Sequence, residues 1–422
     1  MDSATGTWCG GSMSSSRVKF DKLVFGLVIL DLTLFPYVRF LNVSFSMLIL
    51  PLWYIVRGSS LINDAEFKVS VILIGLAVSS FLLALNNYSN GFLLRDGTAG
   101  SVFTAMAPNT AIIIFLFLYY IFFKNVIVRS GVDVKKYLLI YLFFLAGLAG
   151  IYMYDPSLYF KVRSFWTMSG NVVEMSEMDS TYRFMGTLSD PNNLSAIVCS
   201  VLAYLLFCSR LAHSLKFVLL LICMFIVVSS MSSSGVAFFL FVAFLYSLKF
   251  VFFDSPSINS FLIRVLSGFL FVCFGILLFV FLQNTEIGEI FVSRVESNSM
   301  DSRYAVWYNV FELEKIIYSF LWGDGGAVVQ DGIVVNPHNG HLHLIYSYGL
   351  IFYLAFVCLF FRFGRSSFLS SVAVIFPLFM CFTINVGIYE LRFVGVMALL
   401  LASLRYFKSP DGFLKFNSIR CV

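Results

Sequence analysis

Three of the four histidines lie within six residues, at His338, His341 and His343, at the head of a long apolar run. An imidazole titrates near neutral pH, so a histidine in such a group can accept a proton from a hydroxyl nucleophile. His338 is the residue expected to serve as that base. The competing reading makes all three interfacial polar residues that merely end a span. A zinc centre would need a carboxylate or thiolate ligand at standard spacing beside His338 and His341, and none adjoins them. No metal and no cofactor is therefore expected.

Two arginines, Arg183 and Arg303, stand in polar stretches far apart in the chain. A guanidinium presents a planar fork to anionic oxygens, and Arg303 follows the N-cap candidates Asp301 and Ser302, where free backbone N–H groups favour anions. Pairing with the acids of the same stretches, or anchoring to lipid headgroups, is the alternative for both. Arg392, beside Glu390 at the head of the last apolar run, is a third candidate for an anion contact. Asp190-Pro191-Asn192 reads as a helix start, aspartate at the N-cap and proline at the first helical position. Its side chains, with Asn339 and His341, are also candidates to bind substrate. Gly323, Gly325 and Gly326 read as turn formers, since neither a P-loop lysine nor a following strand is expected beside them.

These residues must be held by membrane helices. Of 422 residues, 59% are apolar and 12% charged, and the mean hydropathy is +0.90, which excludes a soluble protein. The expected fold is an all-α polytopic membrane protein with about twelve spans, at 23–39, 41–56, 69–87, 101–123, 137–153, 194–209, 214–231, 235–253, 261–283, 341–361, 367–385 and 387–405. They form a single transmembrane domain, 23–405, between tails 1–22 and 406–422. Nineteen of the 28 lysines and arginines fall on the side that also holds both termini, which is therefore expected to be cytoplasmic. The net charge of +5 comes from basic residues scattered between apolar runs, so no stripe exists for nucleic acid to follow. No cleaved signal peptide is expected ahead of the first span. None of the eight cysteines falls in an outer loop, so disulfides are not expected.

Two connections are long, about 154–193 and 284–340, and both are expected on the outer, periplasmic face. The second should carry an amphipathic interfacial helix over 303–320, with Val306, Val310, Phe311, Leu313 and Ile317 largely on one side. Within the spans, Asp31 should be protonated or bonded to a neighbouring helix, a proton pathway being the sharper alternative. Pro108-Asn109 should kink the fourth span.

His338-Asn339, then nine residues, then Gly349, resembles the C-terminal signature of the bacterial O-antigen polymerase and O-antigen ligase superfamily. Ser302-Arg303 some twenty residues before the glycine turn, and Arg183, Gly186 and Asp190-Pro191-Asn192 before the sixth span, are similar to the family as well. Phe352 stands where a second glycine is common. Ser232-Ser233-Ser234-Gly235 lacks the arginine that many relatives carry there.

The resemblance implies glycosyl transfer from an undecaprenyl-diphosphate-linked oligosaccharide donor to a lipid-linked acceptor, on the periplasmic face of a bacterial inner membrane. A glycosidic bond to diphosphate leaves as an anion, so the site needs cationic donors for the leaving group, Arg183 and Arg303, and a base, His338. The expected reaction is metal-independent, inverting polymerisation of surface-polysaccharide repeat units. Its partners would be membrane lipid and, in the same pathway, a chain-length regulator and a flippase; nucleic acid is not among them. A ligase that moves glycan onto lipid A core is the nearest alternative. A polysaccharide flippase or small-solute transporter is the alternative of a different class, and it would normally show polar residues spread along several spans.

Overall fold

The computed structural model describes residues 15–35, 44–58, 61, 64–87, 92–93, 99–100, 102–166, 183–252, 321, 323, 328–330, 333–335, 339–363, 367–384 and 387–406. Almost all of these are helical. The helices are α1 (Ser15–Thr33), α2 (Phe45–Arg57), α3 (Ala65–Asn87), α4 (Val102–Ser130), α5 (Val134–Tyr154), α6 (Pro156–Arg163), α7 (Pro191–Cys208), α8 (His213–Ser229), α9 (Ser233–Phe252), α10 (Gly340–Phe363), α11 (Phe368–Ile384) and α12 (Leu391–Tyr406). Among the described residues, segments of α3, α4, α5, α7 and α10 are long and apolar enough to cross a membrane, and α2, α8, α9 and α11 contain shorter apolar helices. A polytopic helical membrane protein is the fold these describe. The expected ninth span, 261–283, and the amphipathic helix 303–320 lie outside the described residues.

Element boundaries differ from the hydropathy reading in two informative places. Helix α1 starts at Ser15, because Arg17, Lys19 and Lys22 are good helix formers that extend the apolar run by two turns. The first long connection is partly helical: Asp155 accepts from the Leu158 N–H and Pro156 occupies the first position of α6, an N-cap and proline pair identical in type to the start of α7.

The helical fold carries one small addition. Strands β1 (Phe92–Leu93), β2 (Ala99–Gly100), β3 (Val328–Gln330) and β4 (Ile333–Val335) form a small sheet in the order β2-β1-β4-β3, in which Gln330 pairs with Ile333 and Leu93 with Ile333. Asp331-Gly332 between two β-branched runs is a strong two-residue hairpin signal that hydropathy conceals.

Helix α7 is the hub of the bundle. Every residue of it except Asn192 is buried, and it packs against α5, α8, α9, α11 and α12. A helix apolar on all sides is what such a position requires. Its approach to α9 depends on Gly235, where a Cβ would lie 2.5 Å from the Ser195 side chain.

The two ends of the bundle carry different chemistry. At one end, Asp21 on α1 binds Arg57 on α2 at 2.8 Å, and Lys124 on α4 binds Asp64 and Glu66 at 2.5 and 3.0 Å. Glu66 also pairs with Arg405 near the end of α12. At the other end lie the junctions α1–α2, α8–α9 and α11–α12, the segment before α7 and the start of α10.

Candidate functional site

The N-terminus of α7 organises that second end. Asp190 caps it, accepting from the N–H groups of Asn192 at 2.7 Å and Asn193 at 3.3 Å. Pro191 fixes the first helical turn, so the next two side chains diverge in defined directions. The Asn192 carbonyl oxygen accepts from the hydroxyls of Ser232 and Ser234, at 2.7 and 3.2 Å, in the α8–α9 junction. The buried Asn193 donates to Glu390 at 2.8 Å and accepts from the Cys381 thiol at 3.4 Å. Gly387 makes room for it, since a Cβ there would meet the Asn193 carbonyl oxygen at 2.6 Å.

Arg183 lies just upstream, half-buried, and reaches the same junction. Its Nε donates to the Ser230 carbonyl at 3.2 Å and its Nη2 to the Met231 carbonyl at 3.0 Å. Met231 has a φ of 47°, a left-handed turn conformation that is uncommon for a side chain of this size. The guanidinium therefore fastens the 183–190 segment to the α8–α9 turn. Tyr159 on α6 braces that segment from beneath, its hydroxyl accepting from the Met185 N–H at 3.1 Å; burial pushes the phenol up to about 12, so it stays neutral.

The 3₁₀ turn Gly387–Tyr389 and Glu390 join this group to α10. The Glu390 carboxylate accepts from the Ser189 N–H at 2.7 Å as well as from Asn193. Its neighbour Tyr389 turns the other way, its hydroxyl 2.6 Å from His343 Nδ1. The Ser347 hydroxyl lies 3.2 Å from the same nitrogen. Asn339 is the N-cap of α10, accepting from the Leu342 N–H at 3.1 Å. His341 packs toward α11, with Nε2 3.1 Å from the Phe379 carbonyl and Nδ1 3.3 Å from the Tyr353 hydroxyl.

Helix α10 is broken at Gly349, whose φ of 87° and ψ of 162° leave the helical region. The backbone of Gly323 passes against this break, where a Cβ would lie 2.5 Å from the Ser347 carbonyl and the Tyr348 backbone. Both glycines are thus fixed by backbone geometry, Gly349 by its dihedrals and Gly323 by close approach.

The candidates named from sequence are distributed as follows. Arg183, Asp190 and Asn192 meet around the start of α7, and Asn339 and His341 lie in the first turn of α10, tied to them through Tyr389, Glu390 and His343. Arg392 is buried in the first turn of α12, and its Nη2 donates to the Phe35 carbonyl at 2.5 Å. Arg303 and His338 lie outside the described residues, His338 immediately preceding Asn339 in sequence. Asn193, Tyr389 and Ser347 escaped the sequence reading, because each sits inside or against an apolar run with no motif to mark it. Among the described residues no group of three or more histidine, cysteine or acidic side chains could hold a metal ion. What the site offers is hydrogen-bonding hydroxyls and amides, an arginine, a carboxylate and imidazoles. Compared with known proteins, the chain matches no protein-family model and no curated protein.

Proposed function

We propose that this protein is a polysaccharide polymerase of a bacterial inner membrane, transferring a glycan chain from undecaprenyl diphosphate to the next lipid-linked repeat unit at its periplasmic face. One observation carries the reading. Polar residues from the segment before α7, the α8–α9 turn, the α11–α12 turn and the head of α10 are joined by hydrogen bonds at one end of an otherwise apolar bundle. The sequence assigns the same connections to the outer face and finds in them the resemblance to O-antigen polymerases and ligases.

The chemistry follows from the groups present. The diphosphate is a good leaving group already, so the protein must mainly position two lipid-linked sugars and stabilise charge on the departing phosphates. Arg183 supplies positive charge beside the serine hydroxyls of the α8–α9 turn, and Arg303 is the second cation of the proposal. An imidazole at the head of α10 takes the proton from the attacking hydroxyl. Direct displacement then inverts the anomeric centre. No step calls on a metal.

The test is reconstitution in vesicles with an undecaprenyl-diphosphate-linked oligosaccharide, with products resolved by length. Native protein should build a ladder, and Arg183→Ala should reduce its rate by about 100-fold or more. Product formed only when lipid A core is supplied would favour the ligase reading. The break in α10 at Gly349 is the feature that favours a transporter, since broken helices commonly line substrate paths. Movement of lipid-linked oligosaccharide across the bilayer without elongation would establish that instead.

A further inference from the structure

We propose that His343, held by the Tyr389 hydroxyl at its Nδ1, is the base that takes the proton from the attacking sugar hydroxyl, in place of the expected His338. The inference rests on the reading of this site as a glycosyl-transfer centre and names the group that works within it.

The two ring nitrogens of His343 are in different situations. Nδ1 has Tyr389 Oη at 2.6 Å and Ser347 Oγ at 3.2 Å. Nε2 makes no hydrogen bond among the described residues. A base needs this division of labour: one nitrogen fixed by the protein and the other left unpaired for a reactant. His341 lacks it, because both of its nitrogens are engaged, with Phe379 and Tyr353.

The partners accommodate the tautomer that a base at Nε2 needs. For Nε2 to accept a proton, Nδ1 must carry one and donate it. Tyr389 Oη, 2.6 Å away, can accept it. The groups hydrogen-bonded to Nδ1 are neutral hydroxyls, with no carboxylate among them. The ring can therefore rest with Nε2 unprotonated, the form the proposal requires.

Position supports the assignment. His343 lies one turn inside α10 from its N-cap Asn339, about 6 Å along the axis, so it remains close to the end of the bundle where Arg183 sits. Tyr389 and Glu390 are consecutive, and while one holds His343 the other holds Asn193 and the Ser189 N–H. One short turn thus sets the imidazole relative to the segment that carries Arg183.

The step balances. The O–H bond of the acceptor hydroxyl breaks and its proton goes to Nε2. The oxygen's electron pair forms the bond to the anomeric carbon. The bond from that carbon to the diphosphate oxygen breaks, and its pair leaves on the diphosphate. The imidazolium then returns its proton to water.

The experiment uses the full chain in vesicles with undecaprenyl-diphosphate-linked oligosaccharide. His343→Gln should lower kcat by about 100-fold or more while KM stays within about threefold. His343→Ala should be partly restored by added imidazole, which a packing defect would not be. His338→Ala should stay within about tenfold of native. His343→Gln within about threefold of native, with Arg183→Ala inactive, would overturn the assignment and leave the polymerase reading standing. Imidazole rescue of His338→Ala in place of His343→Ala would overturn it in favour of His338. If the His343 variants fail to insert, Tyr389→Phe decides: about a tenfold loss is expected, and an unchanged rate overturns the proposal. A native protein that elongates nothing fails the polymerase reading itself.

Discussion

An ionised carboxylate inside an apolar bundle is expensive unless it is fully bonded, and Asp31 is bonded three times over. It accepts from the N–H groups of Phe45 at 3.2 Å and Ser46 at 2.9 Å and from the Ser44 hydroxyl, so a residue of α1 caps the start of α2. Ser46 passes the network on to the Tyr119 hydroxyl of α4 at 2.5 Å. Asp31→Ala should therefore cost about 2–4 kcal/mol, read from unfolding in mixed micelles, because two helix N–H groups and a hydroxyl lose their acceptor. Asp31→Asn should cost less and leave elongation intact; loss of activity in a stable Asn variant would restore the proton-pathway reading. A bond to a neighbouring helix was among the alternatives legible for this residue, but not the partner, which lies thirteen to fifteen residues on. Arg183 is similar. Its type and loop were legible, whereas the carbonyls it binds belong to a turn 47 and 48 residues away and carry no side-chain signature.

Helices were legible where hydropathy alone decides them, and their irregularities were not. Nothing in the apolar run from Leu342 to Phe361 announces a break, yet Gly349 leaves the helix there because only glycine holds its dihedrals without strain. Gly349→Ala should destabilise by about 1–3 kcal/mol. Gly235→Ala should do the same by forcing α7 and α9 apart at Ser195. Gly58, with nothing within 4 Å of where a Cβ would stand and a helical φ, is the control. Its alanine variant should be neutral or slightly stabilising in the same unfolding measurement.

At the scale of the molecule, ion pairs gather at one end of the bundle and the hydroxyl-rich group at the other, and the lysine and arginine distribution leads us to propose that the ion-pair end faces the cytoplasm. It can be checked directly. With the native cysteines replaced, Ser189→Cys should react with an impermeant maleimide on intact cells, and Asp133→Cys only after permeabilisation; the reverse pattern would invert the topology. The ion-pair end also has an acid limit. Burial raises the Asp64 carboxyl, but the hydrogen bond and charge of Lys124 outweigh it, so the group lies below its ordinary value. A carboxylate depressed in the folded state adds stability above the usual carboxylate range and loses it as pH falls through the lowered value. Lys124→Met should flatten that acid limb of the melting temperature. Helix α12 joins the two ends, from Arg392 on the Phe35 carbonyl to Arg405 on Glu66, over about 20 Å. A ribosome delivers it long after α1. The Phe35 carbonyl, just past α1, must then wait through 357 residues of synthesis for its arginine, so a nascent chain stalled before Arg392 should remain open to membrane quality control however well its earlier helices have inserted.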